Sequence, residues 1–427
     1  MIFSLLGLWI CLYSYKHFHR GFILFLIYRM FLALNVVVVA IKDMPSLRVD
    51  MVMTFYFLVL FYINRKQYTT SAPFPFTTPF IFLVISWTIS SIFSYAGILA
   101  TLPQYIGNIS KDIFLVYVIW KVIEVKDLKL LLKGFSIVFV IACIYGLFEK
   151  ITLLNPLRDY EESLAGDNAV MWAYSEDDVR GYRIQSVFEH AIGAGVNFVL
   201  YIILVLMLYL RYKLEKYISV NYLLLCAACG VCAIWTNSRT PVLFLAIASI
   251  SFVNFQDART YKFLILISIV GFLMAPLFVD YFDIFETIVN QDSQKTMYGS
   301  NSDLRWDQLA SSLALFSMSP IWGLGFSYDS VLKGTLVESL LGRESIWFNI
   351  LPELGIIGAI SYIIYIWYSL VLVPLQYKNI VSFSLFLAYW IVASLTSIPG
   401  MKMHFFYIIV FLSIKMSSSY VEKYNRS

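Results

Sequence analysis

The chain has 427 residues, 60% of them hydrophobic and 14% charged, against about 25% charged in a soluble globular domain. This excludes a nucleic-acid binder, a disordered chain and a disulfide framework, and points to a polytopic membrane protein. The net charge of +4 hides two opposed parts: 151–186 carries seven acids against three arginines and 280–344 nine acids against four Lys/Arg, so these segments sum to −9 and the rest to +13.

Crossing about 30 Å of hydrocarbon takes about 20 mostly apolar residues in a helix. At the N-terminus, 2–15 is a short apolar run and 21–41 contains Arg29, the only clear mid-span charge. The absence of a basic leader region and of a small-residue cleavage site predicts a retained first helix in a chain that is the whole protein. Uncharged runs follow at 67–110, 190–210, 217–238, 354–377 and 379–401. Shorter runs at 134–148, 240–256 and 263–279 are flanked by basic residues that complete a span by snorkelling. The weakest span is 113–125, where Lys111, Asp112, Lys121 and Glu124 interrupt the apolar pattern.

The expected fold is an all-α polytopic bundle of about 13 transmembrane helices, with 11 to 14 allowed, and two long extracytoplasmic loops. Its parts are an N-terminal bundle (1–150), a first loop (151–186), central helices (187–280), a second loop with an amphipathic helix (281–344), and C-terminal helices with a tail (345–427). Lys and Arg mark the cytoplasmic loops. Lys16/Arg20, Arg65/Lys66, the lysines from Lys121 to Lys133, Arg211/Lys213/Lys216, Arg259/Lys262, Lys378 and the tail fall on one side. The C-terminus is therefore expected in the cytoplasm and both acidic loops outside; Lys42 and Arg48 depart from the pattern.

Loops of this length are functional or disordered, and both read as ordered. The first holds Met171, Trp172, Tyr174 and Tyr182. The second has a helical stretch at 303–316 with Leu304, Leu309, Leu313 and Phe316 on one face and Arg305, Asp307 and Gln308 on the other, suited to a membrane surface or the roof of a cavity. The cations on the outer side are few and lie near span ends: Arg180, Arg183, Arg239, Arg305 and Arg343. Any one of them read alone is a snorkelling residue. Arg239, however, occupies the tight turn Asn237-Ser238-Arg239-Thr240-Pro241, and several guanidiniums together suit a pyrophosphate. Glu344, where the second loop re-enters the membrane, is a candidate general base or a salt-bridge partner of Arg343. Glu353, nine residues on, falls on the opposite helix face and is read as an orienting group. Arg183, Phe188 and Gly195 are spaced as Arg343, Phe348 and Gly355, a faint echo.

Of four histidines only His190 is near the loops, so no histidine metal site is expected, and Glu176-Asp177-Asp178 reads as a solvated turn. Cys11, Cys143, Cys226, Cys229 and Cys232 all fall in spans, where they read as small packing residues. No phosphate-binding or dinucleotide glycine motif occurs, so neither ATP nor NAD is implied.

The turn Thr236-Asn237-Ser238-Arg239, then Leu304-Arg305-Trp306, Pro320-Ile321-Trp322-Gly323-Leu324-Gly325, Glu344-Ser345 and Pro352-Glu353-Leu354-Gly355-Ile356-Ile357-Gly358, resemble the O-antigen ligase and O-antigen polymerase superfamily in order and topology. Tyr182 to His190 is also similar, so the resemblance spans about 180–358. Ligases carry a histidine where this chain has Glu344, and the Glu-Ser pair looks like the Wzy-type polymerase branch of capsule and exopolysaccharide synthesis. Some polymerases have an arginine followed by ten residues and then a glycine in both outer loops; here eleven residues intervene before Gly195 and before Gly355. The resemblance implies a GT-C-like, inverting, metal-independent glycosyltransferase of the bacterial cytoplasmic membrane that joins undecaprenyl-pyrophosphate-linked repeat units on the outer face. Glu344, Arg239 and Arg305 would be catalytic and Arg180, Arg183 and Arg343 substrate-binding. Trp172, Trp306, Trp322 and Trp347 would stack on sugars or belong to the interfacial belt. No cofactor is implied. The partners are the lipid-linked oligosaccharide, membrane lipid and a chain-length regulator. The alternatives are a ligase, and a flippase or secondary transporter, which would show repeats, broken helices and mid-span charges.

Overall fold

The computed structural model describes residues 2–32, 37–39, 47–68, 72–165, 176–177, 181–252, 302–328, 344–417 and 420. Among them three helical rods are long and apolar enough to cross a membrane, Val125–Thr152, Ala191–Arg211 and Ile346–Tyr377, and six shorter apolar helices accompany them. This is a multi-pass membrane protein. The expected count of 13 spans depends partly on 253–301, which lie outside the described residues.

In chain order the helices are α1 Ile2–Lys16, α2 Phe18–Tyr28, α3 Val49–Asn64, α4 Thr77–Ile92, α5 Ile98–Asn108, α6 Leu115–Val122, α7 Leu128–Thr152, α8 Pro156–Ala165, α9 Ala191–Leu206, α10 Val220–Trp235, α11 Arg239–Ser249, α12 Ser302–Met318, α13 Ile346–Trp367, α14 Val373–Tyr377, α15 Ile380–Thr396 and α16 Met403–Lys415. Two short antiparallel ladders join Val37–Val39 to Leu47–Arg48 and Glu176–Asp177 to Gly181–Tyr182. The acidic stretch expected as a solvated turn thus contributes a hairpin strand.

A helix that is apolar all round belongs in the middle of a bundle. Two here meet that description, α9 and α16, whose residues are buried along nearly their whole lengths. Around α9 pack α7, α10, α11 and α16; α11 also packs on α15, α4 on α13 and α12 on α13. The weakest expected span is continuous: a π-helical turn, Ile109–Phe114, joins α5 to α6. Asp112 in that turn has Lys111, Arg29 and Asp50 as electrostatic neighbours, so Arg29 is not the isolated charge the sequence suggests. Opposite charges gathered in this way reduce the cost of each one inside a bilayer.

π-helical turns also follow α9 (Met207–Arg211) and α13 (Tyr368–Leu372), and a further departure from regular helix is in α13 itself. Gly355 breaks it with φ 64° and ψ −159°, a conformation essentially restricted to glycine. The backbone groups released by the break are taken up by 320–325. Leu324 N donates to Pro352 O (2.7 Å) and Gly325 N to Glu353 O (3.2 Å), while Ile356 N donates to Pro320 O (2.9 Å) and Ile357 N to Ile321 O (3.2 Å). Ser90 of α4 adds a hydroxyl donor to Glu353 O (2.6 Å), and Tyr95 N donates to Leu324 O (2.8 Å). The two glycine-rich motifs are therefore halves of one interlock, and backbone polar groups in an apolar setting are left satisfied.

Candidate functional site

The described elements place the predicted site residues in two groups. The first wall is the chain from Tyr182 to His190, which closes against the α10–α11 turn. Arg183 is 7% exposed and its Nε donates to Thr236 O at 3.1 Å. Ile184 N donates to Trp235 O (3.2 Å), and Asn237 Nδ2 to Tyr182 O (3.3 Å). Gly195, on the first turns of α9, is in the close approach to Pro241 and Thr236, where a Cβ would collide with Pro241. Arg239 begins α11 from this turn and is half-buried. The two arginines predicted from different loops thus flank a single turn.

The second wall is α12 against the start of α13. Arg305 Nε donates to Glu344 Oε2 at 2.6 Å, with the side chains 42% and 18% exposed. So accessible a pair contributes at most about 1 kcal/mol to stability. Its consequence is chemical, in that a carboxylate and a guanidinium are presented together. The backbone holds them in place: Glu344 N donates to Gln308 Oε1 (3.1 Å), Ser312 Oγ to Phe348 O (3.1 Å), and Ser345 caps α13 by accepting from Trp347 N. Glu344 therefore precedes the helix and does not share a face of it with Glu353.

α12 corrects the sequence reading of its faces. The expected apolar stripe is only partly the buried one: Leu309 and Phe316 are half-buried and Leu313 is exposed, whereas Gln308, Ser312 and Leu315 are buried. Where a helix meets apolar surroundings, small and polar residues go to the helix contact and large apolar ones face outward.

The helix α15 contacts elements that lead to both walls. Ser384 Oγ donates to Ser251 Oγ (2.8 Å) and to Ala248 O (3.2 Å) at the far end of α11. Ser394 in turn accepts the indole N–H of Trp347 (3.1 Å), three residues after Glu344. α15 therefore touches the end of α11 through Ser384 and the segment after Glu344 through Ser394. Arg180 and Arg343 lie outside the described residues, as does Trp172. Trp322 stacks on Phe93.

His190 caps α9, its Nδ1 accepting from Ile192 N (3.1 Å), which leaves the ring proton on Nε2 in the neutral form. Burial, then the charges of Arg183 and Arg158, push its pKa down to about 4. A histidine lowered in the folded state is protonated first in the unfolded chain. Stability present above the ordinary value of 6.5 is therefore expected to fall as pH drops from there towards 4. Thermal midpoints of wild type and His190→Gln between pH 7 and 4 check this; an equal slope in both contradicts it.

A residue that sequence reasoning missed is Glu149, in the last turn of α7, buried beneath Tyr182–Ser186. An acid is electrostatically misplaced at a helix C-terminus, and that was the available signal. Lys402 was also missed. Its Nζ donates to Glu189 Oε1 (2.9 Å) and Leu32 O (2.8 Å), tying the entry of α9 to that of α16.

Buried α9 and α16 and the interlocked α13 define a multi-pass membrane protein, with Arg183 and Arg239 at the α10–α11 turn and an arginine–carboxylate pair before α13. Residues 222–363 match the family described as O-antigen ligase. The matched stretch runs from α10 into α13 and contains Arg239, Arg305, Glu344 and both halves of the interlock; Arg183 precedes it. The match supports the O-antigen ligase and polymerase superfamily, and with it glycan transfer involving lipid-linked glycans in polysaccharide biosynthesis. No curated protein matches the chain.

Proposed function

We propose that the protein is the polymerase type of this superfamily, an inverting, metal-independent glycosyltransferase joining undecaprenyl-pyrophosphate-linked repeat units on the outer face of the bacterial cytoplasmic membrane. The observation that carries the reading is the Arg305–Glu344 pair at 2.6 Å.

In the proposed step a sugar hydroxyl of the incoming unit gives its proton to the Glu344 carboxylate, and its oxygen attacks the anomeric carbon of the growing chain from the face opposite the lipid. The bond from that carbon to the phosphate oxygen breaks, and its electron pair leaves with the lipid pyrophosphate. Arg183, Arg239 and Arg305 meet the charge that grows on the departing phosphate, the kind of stabilisation that is strongest where water is excluded. Arg180 and Arg343 are proposed to add to the same field. The carboxylate, in place of a ligase histidine, favours polymerase over ligase. A chain-length regulator is the proposed protein partner.

The broken α13 and the Arg29, Asp50 and Asp112 group are features a flippase would also have, and one experiment separates the readings. Arg239→Ala is expected to lower transfer about 10²–10³-fold, the loss typical of removing one charge-stabilising donor, at unchanged protein abundance. The lipid-linked glycans of cells carrying it, read by mass spectrometry with their sidedness, would be single units outside. Units trapped inside would indicate a flippase, long unattached chains a ligase, and normal polymer would reject the assignment.

A further inference from the structure

Glu149 is 1% exposed, and what surrounds its carboxylate is a set of donors. Gln185 N donates to both oxygens (3.1 Å each), Ser186 N to Oε2 (2.6 Å), Asn155 Nδ2 to Oε1 (3.0 Å) and Tyr182 OH to Oε1 (3.3 Å). Only an acceptor-only group satisfies all of them. A buried carboxylate is costly even when it is fully bonded, and an apolar side chain would fill the same space at less cost. The charge therefore has a directional use.

That use is legible from what lies between the contacts. Tyr182, Gln185 and Ser186 are fixed to α7 through Glu149, while Arg183 and Ile184 are fixed to the end of α10 through Thr236 O and Trp235 O. Ser186 is held in the left-handed region at φ 54° and its hydroxyl donates to Ala142 O (2.6 Å), so the turn after Arg183 is locked to α7 a second time. With Nε committed to Thr236 O, the plane of the Arg183 guanidinium follows from where the backbone is pinned.

We infer that Glu149 is a positioning residue for the donor's pyrophosphate, acting through Arg183: its carboxylate sets the backbone from Tyr182 to Ser186 and so the direction in which Arg183 presents its guanidinium. The inference rests on the proposed polymerase reading for its substrate, but the geometry it concerns can be tested without turnover.

The test uses the full-length protein in nanodiscs as wild type, Glu149→Gln, Asn155→Ala, Arg183→Ala and the Glu149→Gln/Arg183→Ala double variant. A glutamine keeps the shape but turns an N–H₂ towards donors. Hydrogen exchange in 182–188 is expected to rise, affinity for inorganic pyrophosphate to fall, and kcat/KM for the lipid-linked donor to drop about 10²-fold, the loss expected of a 1 Å misplacement. The acceptor KM should stay unchanged, and Glu149→Gln should add nothing in the Arg183→Ala background.

Additive losses, equal effects on donor and acceptor, or faster exchange at unchanged pyrophosphate affinity would each overturn the inference. Should Glu149→Gln fail to fold, Asn155→Ala must show the same donor-specific pattern in milder form, and its absence overturns the inference equally. A wild-type protein that bound pyrophosphate without polymerising would refute the polymerase reading, while exchange and pyrophosphate affinity would still decide the role of Glu149.

Discussion

Replacing Glu344 with glutamine is expected to slow glycan transfer about 10²–10⁴-fold, the range a general base contributes, with the fold intact. Glutamine retains an oxygen to accept from Arg305 Nε, and the bond from the residue's own N–H to Gln308 does not involve the side chain. The thermal midpoint should therefore move by no more than the loss of an accessible ion pair allows, about 1 kcal/mol. Initial rates on a lipid-linked donor and thermal midpoints in detergent measure both halves. A variant that keeps its rate within about threefold has lost no base, and the role would have to move to another group.

The largest expected effect on stability is at Gly355. Its backbone conformation costs about 1–3 kcal/mol for any other residue. A Cβ there would stand 2.5 Å from Ile321 O and 2.7 Å from Gly323 N, both backbone atoms that cannot rotate away. Shifting them would strain four interlocking backbone hydrogen bonds, each contributing about 1 kcal/mol net. Gly355→Ala is thus expected to cost at least about 3 kcal/mol, read as a lower thermal midpoint and lower abundance in the membrane. Gly230→Ala in α10 is the control, because nothing lies within 4 Å of the added methyl and alanine is the better helix former by about 1 kcal/mol. Equal midpoints for the two variants would show that the interlock does not hold α13.

Features of the site that depend on local pattern were legible in the sequence. The helix expected at 303–316 is there as Ser302–Met318, because caps and periodicity act within a few residues. Arg239 was marked by the tight turn that ends one apolar run and begins the next. The motifs around Gly323 and Gly355 were legible as motifs but not as a unit. Their relation is a set of bonds across about 30 residues of chain, and no periodicity carries it. The partner of Glu344 was hidden for the same reason: Arg305 is 39 residues away, whereas Arg343 is adjacent.

The departure of α12 from its expected faces has a different cause. Amphipathic reading ranks positions by apolarity, whereas Gln308 and Ser312 are buried where they bond to Glu344 N and Phe348 O. The echo between the Arg183 and Arg343 segments is not carried into like surroundings: Gly195 is approached by the side chains of Pro241 and Thr236, Gly355 by the backbone of Ile321 and Gly323. They also differ in that Gly195 is helical and Gly355 is not.

The central claim, that a carboxylate and surrounding arginines transfer a growing glycan from its lipid pyrophosphate to a new unit, is tested most directly by reconstitution. The purified protein in proteoliposomes is given a single lipid-pyrophosphate-linked repeat unit, in the presence of a chelator, and its products are read by mass spectrometry. The account predicts a ladder of whole repeat units still bearing the lipid, with one lipid pyrophosphate released for every linkage formed, and no ladder from the Glu344→Gln protein. Unchanged single units with wild type, or a ladder that persists in Glu344→Gln, would contradict it.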